Sequence, residues 1–255
     1  MLRPEYVSGS SDDPSVQAAA TKALELVTDG ARIGLGSGRA VGAFIAKLGA
    51  CQRDGLRIKA VTASLRSTIE ARRAGVQLIE LGEGGPLDLT VDGADQVAPN
   101  FDLVKGRGGA MVRERILAAA SASQVIIVGE DKLVQALGER GSVPVEVIPF
   151  GEWHAMRELE ALGLVPTLRM EPNGSRPLIT ENGNLIFDCS LSEPMSDGKA
   201  ARKLERALLS ITGVVDTGLF LGTADCVIVG HPDGHAETVF SPAPDGAATT
   251  TPLAP

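Results

Sequence analysis

The chain has 255 residues, a length that suits one large domain or two small ones. Its 44% hydrophobic and 22% charged residues exclude global disorder, and a net charge of −8 with only 3% aromatic residues argues against nucleic-acid binding. Three scattered cysteines, Cys51, Cys189 and Cys226, exclude a disulfide framework and a CxxC metal site and point to a reducing, cytoplasmic setting.

No apolar run approaches the ~20 residues needed to span a bilayer, so no membrane association is expected. The first residues are polar and lack the apolar core of a signal peptide, while the last fifteen or so are rich in Pro, Ala and Thr. Residues 1–12 and 241–255 therefore read as disordered tails.

In chain order, Asp13-Pro14 reads as an N-cap followed by proline at the first helical position. Val16, Ala20, Ala23, Leu24 and Val27 recur at helical spacing up to Gly30. ARIGLG is a buried strand, and GSGRAVGAFIAKLG passes from a Gly loop into a helix. LRIKAVTAS is a strand, Thr68 to Ala74 a helix ending at Gly75, and VQLIEL (76–81) a strand. LDLTVDGAD and FDLVKGRGG each run from strand into loop, AMVRERILAAAS is a helix, and SQVIIVGEDK is a strand with a polar loop. This alternation indicates a parallel α/β sheet.

The pattern changes near Pro144. PVEVIPF is a strand and Trp153 to Leu162 a helix; TLRM and LITENGNLIFDCSL are antiparallel strands with a turn at Asn182-Gly183. Gly198 to Ile211 is a helix, and GVVDTGLFLG and ADCVIVG are late strands. The fold class is α/β: a Rossmann-like parallel-sheet domain over 13–142 plus 214–240, with a smaller α+β domain inserted at 143–213.

Three strand-to-loop junctions are rich in functional groups, and open α/β sheets bind ligands at the carboxyl ends of their strands. In the first, Gly34 to Gly38 opens a helix; its backbone N–H groups, with Ser37 and Arg39, suit an anion such as phosphate, although many Gly loops are only tight turns. In the second, Asp92 and Asp95 flank Gly93, placed either for hydroxyl recognition and proton handling or simply for capping a turn. In the third, Lys105 ends a strand, Gly106, Gly108 and Gly109 form a loop, and Glu114 lies a turn into the next helix. Lys105, Arg107, Arg113 and Arg115 there give a local positive field suited to an anionic substrate or a developing enediolate, unless Arg113 or Arg115 only pairs along a solvated helix face. His154, His231 and His235 fit no metal-ligand pattern, and the last two flank a Pro-Asp-Gly turn as solvated residues. The chemistry falls to carboxylates and lysine.

VDGAD, LVKGRGGAMVRERI, PVEVIPF, ENGNLIFD and GVVDTGLF occur in that order, and together they resemble the type A ribose-5-phosphate isomerase family from about Val16 to Gly230. The array Asp92, Asp95, Lys105, Glu114, spaced by three, ten and nine residues, is similar to the family's catalytic array. The resemblance implies interconversion of ribose 5-phosphate and ribulose 5-phosphate through a cis-enediol, with neither metal nor cofactor, in a homodimer or homotetramer. It implies that Glu114 is the general base, that Asp92 and Lys105 assist ring opening and neutralise charge, and that Asp95, Gly106 and Lys132 contact the sugar. Ser37, Gly38, Arg39 and Ala40 fall on the phosphate loop.

The chain departs from the family at that loop, which usually continues Gly-Ser-Thr where this sequence has Gly38, Arg39 and Ala40. A lysine often found in the first helix is replaced by Val16 or Gln17. Arg39 compensates for the lost hydroxyls and cation, or the substrate is another small sugar phosphate. Two other functions compete. A sugar-phosphate sensor of the repressor type would need a DNA-binding domain ahead of the first helix, where only about 15 residues stand. A nucleotide-dependent dehydrogenase would need GxGxxG and a later acidic residue, which GLGSGRAVGA and its sequel fit poorly.

Overall fold

The computed structural model describes residues 12–195 and 197–240. The tails expected at 1–12 and 241–255 lie outside these residues, apart from Asp12. Asp13 caps α1 (Pro14–Ala23) by accepting the Ser15 N–H at 3.0 Å, and Pro14 presets the first turn. The helical spacing that continues to Val27 becomes a single 3₁₀ turn at Leu24–Leu26. Then follow β1 (Arg32–Leu35), α2 (Arg39–Arg53), β2 (Lys59–Thr62) and α3 (Leu65–Ala74), the last capped by Ser64 and closed by Gly75. β3 (Leu89–Asp92) and two short strands, β4 (Gln96–Val97) and β5 (Leu103–Val104), precede α4 (Met111–Ala119) and β6 (Gln124–Gly129).

The second half contains β7 (Val143–Val147), α5 (Glu152–Ala161), β8 (Val165–Leu168), β9 (Leu185–Ser190) and α6 (Gly198–Leu209). It ends with β10 (Val214–Thr217), β11 (Leu219–Phe220), β12 (Cys226–Gly230) and β13 (Ala236–Phe240).

The main sheet has the order β13-β12-β6-β3-β1-β2. Its strands are parallel except β13, which pairs antiparallel with β12. This is an α/β, Rossmann-like architecture. β3, β6 and β12 are buried along their whole length, which is why they read as continuous apolar runs rather than alternating ones. Helices α1 and α2 cover one face, packing Phe44, Ile45 and Leu48 against Ile33, Leu35 and Ile127. On the other face, Met111 of α4 and Phe220 of β11 meet Ile126, Val128 and Val227. A four-stranded antiparallel sheet, β10-β7-β9-β8, forms a second core with Leu159 of α5 and Leu208 of α6.

Several elements differ from the sequence expectation. Residues 76–81 make only one parallel bridge, Leu78 to Ala60, because the chain leaves the sheet edge after Ile79 into a glycine-rich loop. The strand in FDLVKGRGG is cut to two residues between turns closed by Phe101 N to Ala98 O and Gly109 N to Gly106 O, and it joins β4 and β11 in a separate small sheet. GVVDTGLFLG breaks at Gly218 into two strands of different sheets. Its β10 pairs with β7, so the four-stranded sheet takes in residues up to Thr217, and β11 pairs with β5. The Asn182-Gly183 turn forms, but the residues before it are not a regular strand. His235 is exposed as expected, and His231 is partly exposed, its ring stacked on His235 at 4.1 Å with Nδ1 2.6 Å from Glu130. Among the described residues no helix is long and apolar enough to cross a membrane.

Leu48 is fully buried between α2 and the main sheet. Leu48→Ala should cost about 2–5 kcal/mol in urea unfolding, with the turnover of the folded fraction unchanged.

Candidate active site

The functional groups converge where the parallel strands end. Leaving β1, the chain passes Gly36 and Ser37; leaving β3, it delivers Asp92 to Asp95; leaving β6, it turns through Glu130–Lys132. Lys105 follows β5 and Glu114 lies in the first turn of α4. Lys105 Nζ sits 2.9 Å from Asp92 Oδ2 and 3.1 Å from Glu114 Oε2 and donates to the Gly93 carbonyl. All three side chains are buried. The Phe220 ring covers the lysine, its centroid 5.4 Å from Nζ. Asp92 Oδ1 accepts the N–H groups of Gly93 at 2.8 Å and Ser37 at 3.2 Å, so its carboxylate is held from both sides.

Burial pushes Glu114 up to about 7, the charge of Asp92 adds to the rise, and Lys105 opposes it. Burial disfavours the charge on Lys105, but the two carboxylates outweigh that and hold its pKa above the ordinary lysine value. The site therefore carries a permanent cation beside a carboxyl group that titrates near neutrality.

A cleft of about 470 Å³ opens over these groups. Ser37, Gly38, Arg39 and Ala40 line one side, and Asp95, Lys105, Gly106, Glu114 and Lys132 the rest. Asp92 does not line it; it lies behind Lys105 with no exposed surface. Gly38 is the N-cap of the 15-residue α2, and no side chain caps that end, which leaves the first-turn N–H groups for an anion. Arg39 is exposed and has no hydrogen-bond or ion-pair partner among the described residues. The Asp95 carboxylate accepts the Arg107 N–H at 2.9 Å, and Lys132 lies 2.8 Å from Asp131.

The family model for ribose 5-phosphate isomerase A (phosphoriboisomerase A) matches residues 59–234. The chain belongs to this family. It is 42% identical to ribose-5-phosphate isomerase A 1 of Oceanobacillus iheyensis over 226 residues, covering 88% of this chain and 97% of that one. The structure of ribose 5-phosphate isomerase A from Methanocaldococcus jannaschii superposes with a TM-score of 0.83 at 33% identity, covering 90% of this chain and 100% of the other. A D-ribose-5-phosphate isomerase structure in complex with phospho-erythronic acid gives the same TM-score of 0.83 and the same 33% identity, over 94% and 100% of the two chains.

Within this family fold the cleft also contains residues that sequence reasoning did not assign to it. Asp13, legible only as a helix cap, reaches the cleft, as do Arg66 from α3 and Asp131 beside Lys132; Arg107, expected to add to the local positive field, lines it too. Arg66 has no local signal; its place depends on how α3 packs. Arg113 and Arg115, expected to add to a positive field, do not line the cleft. Arg115 turns away to Asp216 at 2.7 Å and to the carbonyls of Thr217 and Leu219, and Arg113 pairs with Glu181. The lining is thus nearly balanced in charge rather than simply basic. Among the described residues, no cluster of three or more His, Cys, Asp or Glu could hold a metal ion.

Gly36 leaves no room for a side chain: a Cβ there would lie 1.9 Å from Asp92 Oδ1. Gly36→Ala must displace the carboxylate that faces Lys105. Its expected effect is a loss of kcat of at least about tenfold with a cost of about 1–3 kcal/mol in stability, checked by steady-state kinetics and urea unfolding.

Proposed function

We propose that this chain interconverts ribose 5-phosphate and ribulose 5-phosphate, with Glu114 as the base that carries the proton between carbons 2 and 1. The observation that carries this reading is the buried Glu114 carboxyl opening onto the cleft 3.1 Å from Lys105. In the opened aldose, ionised Glu114 removes the carbon 2 proton and the C–H electron pair moves toward the carbonyl. Lys105 neutralises the charge developing on the enediolate oxygens. A proton moves from the carbon 2 hydroxyl to oxygen 1, and Glu114 returns its proton to carbon 1 to give the ketose. Asp92 keeps Lys105 charged and oriented, and Asp95, Gly106 and Lys132 contact the sugar hydroxyls. Because Lys105 supplies the positive charge, the mechanism calls for no metal, and turnover should persist in the presence of a chelator.

The open N-terminus of α2, with Ser37, Gly38, Arg39 and Ala40, is the proposed phosphate seat. A related structure holding phospho-erythronic acid supports a small phosphorylated substrate. The exposed, unpartnered Arg39 supports a guanidinium replacing the two hydroxyls that the family usually places here. We further propose a catalytic unit of 13–142 with the last strands, and a small unit from 143 whose boundary moves to Gly218 to include β10. The exposed Ile148, Phe150 and Trp153 support assembly as a homodimer or homotetramer, and three free cysteines support a cytoplasmic location.

Glu114 accepts a proton only when ionised, so kcat/KM should fall about tenfold per pH unit below about 7 and level off above it. Glu114→Gln should lower kcat by about 10²–10⁴-fold in a folded protein; unchanged turnover there would remove the assignment. Arg39→Ala should raise KM for ribose 5-phosphate by about tenfold and leave the weak reaction of unphosphorylated ribose untouched. Equal loss on both sugars would move the phosphate seat elsewhere.

A further inference from the structure

The turn at Thr180–Asn184 leads into β9 of the small sheet and touches both α3 and α4. Its base is fixed by Glu146 of β7, which is fully buried. A single oxygen, Glu146 Oε1, accepts from Thr180 Oγ1 at 2.9 Å, Asn182 Nδ2 at 3.1 Å and Asn184 Nδ2 at 2.9 Å. The turn also closes on itself, with Thr180 N to Asn184 O at 2.9 Å and Gly183 N to Thr180 O at 3.0 Å. Burying a carboxylate is costly unless several donors meet it, so this is an expensive way to hold a surface loop and marks the loop's conformation as important.

From the tip, the Glu181 carboxylate divides between two elements. Oε1 accepts the N–H of Leu65, the first residue of α3, at 2.7 Å. Oε2 pairs with Arg113 of α4 at 2.5 Å. Arg113 sends its other donors to the same turn, to Glu181 O at 2.9 Å and Asn182 Oδ1 at 3.0 Å. Leu65 follows Ser64, whose hydroxyl lies 3.1 Å from that of Ser37 in the proposed phosphate seat. Arg113 immediately precedes Glu114. An exposed ion pair alone contributes little. Here one carboxylate bonds two elements and one guanidinium makes three contacts with a turn that is itself anchored in the core.

We propose that Glu181 is a positioning residue that ties the Ser37–Ser64 side of the cleft to the helix carrying the base, with Glu146 as its buried anchor. The proposal rests on the isomerase reading for its kinetic consequences. The strap fixes the separation between the substrate's phosphate and the Glu114 carboxylate, and so places carbons 1 and 2 over the base. A displacement of the order of 1 Å there is enough to lower kcat by about 10²-fold.

Two variants separate the arms. Glu181→Ala loses both, and should raise KM for ribose 5-phosphate about fivefold while lowering kcat about tenfold. Its acidic limb should move to lower pH, since a loosened α4 admits water to Glu114 among Asp92, Asp95 and Lys105. Glu181→Gln keeps a carbonyl oxygen for the Leu65 N–H but has no charge for Arg113; KM should stay within about twofold of the parent while kcat and the acidic limb still shift. Leu65 amide exchange should quicken in the alanine variant and not in the glutamine variant. Unchanged kinetics and exchange in Glu181→Ala would overturn the proposal. So would a lowered melting temperature with kcat, KM and limb intact, or identical losses in the two variants. Turnover by the unmodified protein tests the isomerase reading itself, whereas the variant-to-parent comparison and the substrate-free exchange test the strap.

Discussion

The site depends on one buried lysine held between two buried carboxylates. An ammonium group with almost no solvent contact is tolerable only because Asp92 and Glu114 stand within 3.1 Å of it and the Gly93 carbonyl accepts from it. Two potential anions around one cation leave an excess of negative charge in a region of low dielectric. Burial and then the charge of Asp92 lift the pKa of Glu114, while the Asp92 carboxylate accepts the N–H groups of Ser37 and Gly93. The same balance that lets the fold bury a charge thus yields a base that changes protonation near neutrality.

Three separate elements must meet for that balance to hold: the end of β3, the residue after β5 and the first turn of α4. The small β11-β5-β4 sheet makes the meeting possible. Lys105 cannot be carried to the cleft by the main parallel sheet, since β5 is not part of it. Its backbone is fixed by β11 and Gly218, and Phe220 on the same strand covers its side chain. The Arg115 guanidinium lies over the same ring, 4.1 Å from its centroid, and donates to the backbone beside it, so the residue next to the base supports the lid over the lysine.

Local signals carried much of the fold into the sequence. Asp13-Pro14 and Gly75 mark helix ends through their own chemistry, and the apolar runs of β3, β6 and β12 reflect strands covered on both faces. What failed was whatever depended on partners distant in sequence. VQLIEL has strand composition but finds only an edge and a glycine loop, and GVVDTGLFLG has one apolar pattern but serves two sheets. β13 carries too little apolar burial to be seen as a strand. The Asp92, Asp95, Lys105, Glu114 array was legible because its members sit at strand ends and loops close together in the chain. Arg66 and Asp131 were not, because only packing brings them to the cleft. Arg113 and Arg115 were read as a local field, whereas long-range partners at positions 181 and 216 draw both away.

Gly218 is a single residue between β10 and β11, which belong to different sheets. Its N–H bonds to the Pro144 carbonyl at 2.7 Å and its carbonyl accepts the Lys105 N–H at 2.8 Å, while an added Cβ would fall 2.3 Å from the Lys105 carbonyl oxygen. The joint between β7 and the Lys105 backbone is therefore also the mount of the ammonium group. A side chain at position 218 would therefore disturb the seat of the ammonium group and the joint with Pro144 at once.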